Sequence, residues 1–308
     1  MANKLPRMAF FNDRIVPYAE AKVGLLTHAL NYGTGVFGGI RGYWNSDEGK
    51  LLVFRLTDHV QRLHESARLM RMNLALSEEA TVRAVLDLLR AEGLKEDCYI
   101  RPLAFYSDEV IGVRLHGLRP ALSIVAVPFG LYIDKAEGAH CTVSSWQRPG
   151  SNVMPSRGKI TGGYANSAFA KSDAELAGFD EALLLNRDGY VSEGSGENIF
   201  LVRRGVVVTP SLNQSVLEGI TRRSIVAMLK DEMGLSVEER PVDRSELFVS
   251  DEVFLSGTAA QITAVTHIDH RSVGSGQLGP VTEKLRKLFL DVVHGRVAKY
   301  RNWCTAVE

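Results

Sequence analysis

Hydrophobic positions in the first 130 residues recur with two different periods. Between Thr57 and Met70 apolar residues return at helical spacing, and Thr57 is a suitable helix cap. The same period runs between Ser77 and Gly93, which are favourable residues for the start and the end of a helix. Shorter runs of strand length lie around these helices: a hairpin at Met8–Val16, then Leu51–Leu56, Cys98–Phe105 and Ala121–Val127.

The second half of the chain is richer in strand patterns. Six apolar runs predict strands there: Cys141–Trp146, Asp180–Leu185, Tyr190–Glu193, Asn198–Val202, Val206–Pro210 and Val253–Leu255. Three helices are also expected: one after Gly163, one that opens at Leu217–Thr221 and one from Pro280. In the first of them Ala165, Ala168, Phe169 and Leu176 recur at helical spacing, so we expect them on its apolar face.

The length and the composition along the chain indicate two domains. A chain of 308 residues is long enough for two ordinary domains, each with its own core. Pro128, Phe129 and Gly130 follow a predicted strand and precede a polar stretch, which is typical of a connection. We therefore predict a small domain at 1–128, a linker at 129–138 and a larger domain at 139–308.

Charge and composition argue against several classes of function. Lys plus Arg and Asp plus Glu both number 36, so a formal charge of zero gives no support to nucleic-acid or membrane binding. No apolar run has the length of a membrane span or of a signal sequence. Cys98, Cys141 and Cys304 lack disulfide or metal spacing, and His59 and His64 do not share a helix face. We expect reduced thiols, no metal and a cytoplasmic protein.

The candidate chemistry lies between Pro155 and Leu201. Lys159 lies in a flexible, glycine-rich loop, and Glu193 ends a predicted strand directly before a second glycine-rich segment. This pair suits pyridoxal 5′-phosphate, because a lysine amine forms a Schiff base with that cofactor and an acid keeps its pyridine nitrogen protonated. Small-molecule chemistry with this cofactor is the first hypothesis.

Gly33, Gly35 and Gly38 match the glycine spacing of a dinucleotide-binding loop. That motif follows a strand and opens a helix. Here the helix-like LLTHALNY precedes it, and the following GIRGYW does not favour a helix. A nucleotide-dependent oxidoreductase therefore stays an alternative rather than the first hypothesis.

Two turns of small residues are suited to bind anions. Gly219–Thr221 opens a predicted helix, where free N–H groups and a hydroxyl point in one direction. Ser256–Ala260 follows a predicted strand and offers amides and hydroxyls in the same way. One turn suits a cofactor phosphate and the other a substrate carboxylate. Tyr99 and Arg101 alternate onto one face of their strand, where they can also receive a carboxylate.

Together these pieces resemble the class IV (fold type IV) pyridoxal-phosphate aminotransferases, and the branched-chain amino acid aminotransferases in particular. The resemblance covers nearly the whole chain and is most specific in EALLLNRDGYVSEGSGENIF, LEGITR and DEVFLSGTAAQI. It implies an α+β fold with a small α/β N-terminal domain and a larger pseudo-barrel C-terminal domain, similar to D-amino acid aminotransferase. It also implies ping-pong transamination of leucine, isoleucine and valine with 2-oxoglutarate.

The resemblance implies a role for individual residues. Lys159 is the implied catalytic residue that forms the Schiff base, while Tyr164 and Glu193 contact the cofactor ring. The full set implied to bind the cofactor is Arg55, Lys159, Tyr164, Glu193, Gly196, Glu197, Asn198, Leu217, Gly219, Ile220, Thr221, Gly257 and Thr258. The set implied to bind the substrate is Tyr32, Phe37, Gly39, Arg41, Tyr99, Arg101, Val113, Tyr132 and Ala259.

The resemblance also implies a homodimer or a higher homo-oligomer, in which a loop of one subunit carries Tyr32 to the pocket of the other. One departure affects the substrate: Gly38 stands where a glutamate is usual, and we expect its absence to loosen or enlarge the pocket wall. The alternatives are a D-amino acid or (R)-amine transaminase of the same fold, an aminodeoxychorismate lyase, or a noncatalytic protein that binds the cofactor.

Overall fold

The computed structural model describes residues 5–130 and 137–308. Its backbone divides into two compact units. The first unit consists of Met1–Gly130, Gly158–Gly162 and Asp291–Glu308, and the second of Leu131–Arg157 and Gly163–Leu290. The predicted boundaries at residues 128 and 138 stay a prediction, and Tyr132 lies outside the described residues.

The first unit is built on one antiparallel sheet. Its strands are β1 (Met8–Phe11), β2 (Arg14–Pro17), β3 (Gly35–Phe37), β4 (Ile40–Asn45), β5 (Lys50–Phe54), β6 (Cys98–Tyr106), β7 (Pro120–Pro128) and β17 (Cys304–Val307). Within the described ranges their order is β17-β5-β4-β6-β7-β1-β2, and β3 pairs with β6. The C-terminal strand β17 thus completes an edge of a sheet that otherwise comes from the first 128 residues.

Helices α1 (His28–Tyr32), α2 (Leu56–Leu69) and α3 (Glu78–Glu92) accompany this sheet. Both long helices were predicted, and Val60, Leu63 and Ala67 are buried on α2 as expected. At the start of α3 the Ser77 hydroxyl oxygen accepts a hydrogen bond from the Ala80 N–H at 3.2 Å, which confirms the predicted cap. Local sequence signals were therefore sufficient for these two elements.

The dinucleotide-binding alternative loses its structural basis. The glycine motif begins directly after α1, contains strand β3 and is followed by β4, so a helix precedes it and a strand follows it. A dinucleotide-binding loop needs the reverse order, because the phosphates lie at the N-terminus of the helix that follows the loop.

The second unit contains a mixed sheet. Its strands are β8 (Ala139–Gln147), β9 (Glu181–Leu185), β10 (Val191–Gly194), β11 (Asn198–Arg203), β12 (Val206–Pro210), β13 (Val237–Arg240), β14 (Glu252–Gly257), β15 (Gln261–Ile268) and β16 (Arg271–Ser272). In the part of the chain that is described, the order is β10-β9-β8-β15-β14-β11-β12-β13, with β16 beside β15. The remaining helices are α4 (Tyr164–Leu176), α5 (Ile220–Asp231) and α6 (Pro280–Val293), and short 3₁₀ turns occur at Tyr18–Glu20, Thr161–Gly163, Arg244–Phe248 and Ala298–Trp303.

This second sheet curls until its two edges meet. The N–H of Val191, at the start of β10, donates to the Val242 carbonyl at 2.9 Å, and an isolated bridge joins Tyr190 to Asp243. Val242 follows β13 at the opposite edge of the sheet. The core inside the curl consists of strand residues such as Leu183, Ile199 and Leu255. The predicted α+β class with a pseudo-barrel is confirmed.

The predicted apolar face of α4 was wrong. Ser167, Ala170 and Ala174 form its buried face, whereas Phe169 and Leu176 are 53% and 88% exposed. Small side chains pack onto the sheet here because they let the helix axis come close to β8 and β9. Helical spacing of large apolar residues therefore pointed to the wrong side of this helix.

The three cysteines are free thiols. Burial raises the pKa of Cys98 to about 12 and raises the pKa of Cys141 well above its ordinary value, so neither is a reactive thiolate near neutral pH. Over residues 5–130 and 137–308, none of the helices has the length and apolar character to cross a membrane. No group of three or more His, Cys, Asp or Glu side chains could hold a metal ion in these ranges.

A histidine cluster in the second unit makes stability depend on pH. The His140 ring lies 5.3 Å from that of His267 and 5.1 Å from that of His270. Burial, and then these two histidines, lower the pKa of His140 from 6.5, although Asp180 and Asp269 oppose the shift. The folded state therefore binds this proton at a lower pH than the unfolded state does. The contribution of His140 to the free energy of unfolding is fully present above pH 6.5. It is lost as the pH falls through the pKa that His140 has in the folded state.

We predict that His140→Gln reduces the loss of melting temperature between about pH 7.5 and about pH 5.5, because it removes this titration. Thermal unfolding at the two pH values measures the effect. The matched control is His116→Gln, at an exposed position of the first unit. A pH dependence in His140→Gln as steep as in the unchanged chain would contradict the prediction.

Candidate active site

Lys159 lies on an extended segment that pairs with β3. The Phe37 N–H donates to the Lys159 carbonyl at 3.0 Å, and an isolated bridge joins Val36 to Ile160. The Lys159 N–H donates to the Ser66 hydroxyl at 3.2 Å. The sequence led us to expect a flexible loop, but these bonds fix the backbone on both sides of the lysine. The amine is therefore carried by an ordered segment.

The hydroxyl of Thr161 secures the same segment. It donates to the Gly33 carbonyl at 2.7 Å, and the Gly35 N–H donates to it at 3.1 Å. The Gly162 N–H donates to the Gly33 carbonyl at 3.1 Å. The glycine motif at 33–38 thus binds the lysine segment rather than a nucleotide.

Two cations face one aromatic ring in the first unit. The Lys159 Nζ lies 5.1 Å from the centroid of the Phe37 ring, and the Arg101 guanidinium carbon lies 4.5 Å from it. Arg101 also donates to the Tyr99 hydroxyl at 3.1 Å. A side chain at position 39 would collide with that hydroxyl, so only glycine fits there. Five predicted site residues are therefore grouped at this place, around a surface suited to an anion.

Gly38 is closely packed against Pro102. A Cβ at Gly38 would lie 2.7 Å from Cγ of Pro102, and the Gly38 N–H donates to the Pro102 carbonyl at 2.8 Å. Pro102 therefore fills the place where the usual side chain would begin. The enlargement of the pocket wall that we expected from Gly38 is not found at the place where its Cβ would lie.

Other predicted substrate residues have well-defined partners. The Gly112 N–H donates to the Tyr32 hydroxyl at 3.0 Å, and Val113 is exposed beside it. Arg41 is buried, and its guanidinium donates to the carbonyls of Phe129 at 3.0 Å and Gly130 at 2.8 Å. Arg41 thereby fixes the backbone at Phe129 and Gly130.

Arg55 marks the junction between β5 and α2. Its φ of 53° is in the left-handed region, and its backbone N–H donates to the Trp303 carbonyl at 2.6 Å. The guanidinium pairs with Asp58 at 2.8 Å and stacks on the Trp303 ring at 4.6 Å. Helix α2 begins at Leu56, so the predicted cap at Thr57 was wrong: Arg55 is the N-cap residue. This strained conformation is typical of a functional position.

Glu193 is one of the buried carboxylates of the second unit. Its Oε2 accepts hydrogen bonds from the Asn198 side-chain amide at 2.9 Å and from the Leu217 N–H at 3.1 Å. Its Oε1 pairs with Nη2 of Arg148 at 2.6 Å. Three donors from three different parts of the chain thus hold one carboxylate that is almost without solvent.

The same amide of Asn198 shapes the start of α5. Its nitrogen also donates to the Leu217 carbonyl at 3.0 Å, and a Cβ at Gly219 would collide with its oxygen. Gly219 is the N-cap residue of α5, and no side chain caps the helix. The N–H groups of Ile220 and Thr221 in the first turn are therefore suited to bind an anion.

The remaining predicted cofactor residues lie in the same unit. The Gly196 N–H donates to a carboxylate oxygen of Glu197 at 3.1 Å. Gly257 ends β14, and Thr258 and Ala259 form the turn that follows it. Tyr164 begins α4. Thus Gly196 and Glu197 interact directly, whereas Gly257, Thr258 and Tyr164 lie at the end of a strand, in a turn and at the start of a helix.

Arg148 is the residue of the site that the sequence analysis missed. The available signal was a cation two residues after the end of the apolar run Cys141–Trp146. Its meaning depends on the contact with Glu193, which is remote in sequence, so the signal by itself did not identify a role.

Comparison with known proteins gives one family. The profile of Amino-transferase class IV matches residues 35–268 of the chain. The chain is 45% identical over 299 residues to a probable branched-chain-amino-acid aminotransferase of Aquifex aeolicus, covering 97% of this chain and 96% of that protein. The similarity therefore extends over nearly the full length of both proteins.

Solved structures agree with the sequence comparison. The branched-chain aminotransferase of Thermoproteus uzoniensis with norvaline superposes with a TM-score of 0.94 at 44% identity, covering 98% of this chain and 100% of that chain. The branched-chain amino acid aminotransferase of Thermobaculum terrenum in its PLP-form superposes with a TM-score of 0.94 at 39% identity, covering 99% of both chains. The curled sheet and its accompanying unit are thus shared with these proteins.

Proposed function

Since the chain belongs to the Amino-transferase class IV family, we propose that it is a pyridoxal 5′-phosphate-dependent aminotransferase of branched-chain L-amino acids. Leucine, isoleucine and valine are the amino donors, and 2-oxoglutarate is the acceptor. The observation that carries the proposal is the full-length similarity to relatives with this activity in their names, in a chain that keeps both Lys159 and the buried Glu193. These names do not favour a D-amino acid transaminase or a lyase.

The residues present fit pyridoxal 5′-phosphate. The cofactor needs an amine, an acceptor for a protonated ring nitrogen and a phosphate site. Lys159 supplies the amine and Glu193 the buried acceptor. The uncapped N-terminus of α5 supplies N–H groups for the phosphate, and the glycine at 219 permits the backbone turn there.

When bound, the cofactor withdraws electrons from the α-carbon of the amino acid and so makes its proton removable. Lys159 Nζ is the attachment point and the general base that moves this proton. Glu193 keeps a negative charge next to the ring nitrogen. Because three donors hold its carboxylate, Glu193 is already oriented before the reaction begins.

We assign the remaining contacts by the position of each side chain. Arg101 and Tyr99, on one strand face near Phe37, are suited to a second carboxylate such as that of 2-oxoglutarate. The proposed cofactor contacts are Arg55, Tyr164, Gly196, Glu197, Asn198, Leu217, Gly219, Ile220, Thr221, Gly257 and Thr258. The proposed substrate contacts are Tyr32, Phe37, Gly39, Arg41, Tyr99, Arg101, Val113, Tyr132 and Ala259.

A homodimer is part of the proposal. Two neighbouring segments of the first unit expose apolar side chains: Val23, Leu25, Leu26, Leu30, Ile111 and Val113. The His28 ring nitrogen and the Gly112 carbonyl, 2.8 Å apart, join the segments, and Tyr32 lies beside them. A contiguous patch of this kind is typical of a surface that another chain covers. A second copy on this patch would place Tyr32 at the interface.

We also propose a cytoplasmic location. The three free cysteines are compatible with a reducing compartment. Fractionation of cells that produce the protein tests this, and recovery from an oxidising compartment would contradict it.

The function is tested by mixing the holoenzyme separately with L-leucine, D-alanine and (R)-1-phenylethylamine and following the absorbance of the bound cofactor. We predict rapid conversion to the aminated cofactor with L-leucine alone. Lys159→Ala should lower this rate by about 100- to 10,000-fold, as expected for loss of a general base. Lys95→Ala, an exposed lysine of the same unit, is the matched control. A rate in folded Lys159→Ala that is lowered by less than about 100-fold would refute the catalytic assignment.

A second test concerns Arg101. We predict that Arg101→Ala raises the KM for 2-oxoglutarate by about 10- to 100-fold, the value of a hydrogen bond between charged groups, and changes the kinetics with leucine far less. Steady-state kinetics with each substrate measures the difference. The control is Arg83→Ala, an exposed position on α3. Equal losses for both substrates would remove the proposed role.

The dimer is tested with a charge in the apolar patch. We predict that Leu25→Glu shifts the mass measured by light scattering from dimer to monomer, because a carboxylate cannot be buried there without a partner. Leu25 is 85% exposed in the single chain, and the control Leu176→Glu changes an equally exposed leucine of α4, outside the patch. A monomeric unchanged chain at micromolar concentration would contradict the dimer.

A further inference from the structure

The ion pair between Arg148 and Glu193 is almost completely buried. Nη2 of Arg148 lies 2.6 Å from Oε1 of Glu193, and the two side chains are 13% and 5% exposed. At this distance the two groups form a close ion pair. Glu193 therefore has a cationic partner inside the second unit.

Two irregularities of the same sheet bring these residues together. The pairing of β8 with β9 shifts between Val143 and Gln147, directly before Arg148. The pairing of β10 with β9 shifts between Val191 and Glu193. Such irregularities re-aim the side chains that follow them. Both residues are thus redirected beside the central strand β9 from its two sides.

The contact needs a long side chain. The Arg148 N–H donates to the Leu185 carbonyl at 2.8 Å, and Glu193 pairs with Leu184 on the other side of β9. Neighbouring strands lie about 4.8 Å apart, so β8 and β10 are separated by roughly twice that distance. An arginine spans this gap and still presents a planar donor to the carboxylate.

The two oxygens of Glu193 are held differently. Oε2 receives two neutral donors, the Asn198 amide and the Leu217 N–H, whereas Oε1 receives the charged guanidinium. Removing the only cation from a buried pair leaves an uncompensated charge, which is strongly unfavourable. Without Arg148, the Glu193 carboxylate loses both the partner that orients it and the positive charge that compensates its own charge.

Within residues 5–130 and 137–308, the guanidinium of Arg148 has Glu193 as its only partner. Its Nε is buried and makes no hydrogen bond there. A guanidinium has five N–H donors. Arg148 instead directs one nitrogen at one carboxylate oxygen.

We propose that Arg148 is a positioning residue that orients the Glu193 carboxylate toward the cofactor ring nitrogen. This inference rests on the proposed function for the identity of the ligand. Arg148 acts only through Glu193. Its loss therefore weakens the binding of pyridoxal 5′-phosphate and slows turnover by the same route as a change of Glu193 itself.

The experiment compares two cations that pair with buried glutamates of neighbouring strands. Arg148→Met removes the partner of Glu193. The matched control, Lys171→Met, removes the Lys171 ammonium that lies 3.0 Å from Glu181, which is completely buried on β9. Both variants leave a buried carboxylate without its cation. Only Arg148→Met removes the cation beside Glu193, which is the carboxylate that we assign to the cofactor.

The main readout is the dissociation constant of pyridoxal 5′-phosphate for the apoprotein, measured by titration of tryptophan fluorescence. Arg148→Met should weaken binding by about 10- to 100-fold, the usual effect of losing a group that orients a ligand-binding side chain. Arg148→Lys should recover part of the loss, because it restores the charge without the planar fork. Lys171→Met should stay within about twofold of the unchanged protein, because its partner Glu181 is not assigned to the cofactor.

A double-mutant cycle tests the route of action. If Arg148 acts only through Glu193, adding Arg148→Met to Glu193→Gln should change neither the dissociation constant nor kcat further. Arg148→Gln, which keeps a neutral hydrogen-bond donor, takes the place of Arg148→Met if the methionine variant does not fold. For Arg148→Gln we likewise expect no further change of the dissociation constant or of kcat when it is added to Glu193→Gln.

Three outcomes would overturn the proposal: unchanged affinity in the folded Arg148 variants, an equal loss in Lys171→Met, or additive losses in the double variant. The proposed function is judged separately, by leucine turnover in the unchanged protein. If that turnover is absent but the affinity cycle behaves as expected, the substrate assignment fails and the role of Arg148 stands.

Discussion

The candidate site of the second unit depends on the buried carboxylate of Glu193. Glu193 is nearly inaccessible to solvent, and an isolated carboxylate in such a place costs several kcal/mol unless donors surround it. The three donors come from the end of β8, the start of β11 and the segment before α5. The register shifts before Arg148 and before Glu193 are therefore conditions for keeping this charge inside the protein.

The same network determines the anion site. Asn198 donates both to Glu193 and to the Leu217 carbonyl, and its side chain occupies the space beside Gly219. One amide thus fixes an acid and the backbone turn at which α5 begins. In the first unit, backbone pairing has the corresponding role, because β3 holds the segment of Lys159 and carries the Phe37 ring below its amine. In both units, functional groups are oriented before any ligand binds, which is a general requirement for efficient catalysis.

The amino-acid sequence determined the features that depend on neighbouring residues. Helix α3 followed from its apolar period and its serine cap, and the start of α5 followed from Gly219 and the hydrophobic spacing after it. Lys159 and Glu193 followed from glycine-rich segments around residues with suitable chemistry. Interactions within a few residues of the chain set these features, so the local pattern contains them.

Only the tertiary structure decided the features that depend on distant residues. Phe169 has the spacing of a core residue, but the small side chains of α4 face the sheet, because close approach of a helix is decided by the partner surface. Arg148 has no special local pattern, and its role arises from two register shifts that direct it to Glu193. Register and packing are properties of strand pairs rather than of single strands, so the order of residues within one segment does not reveal them.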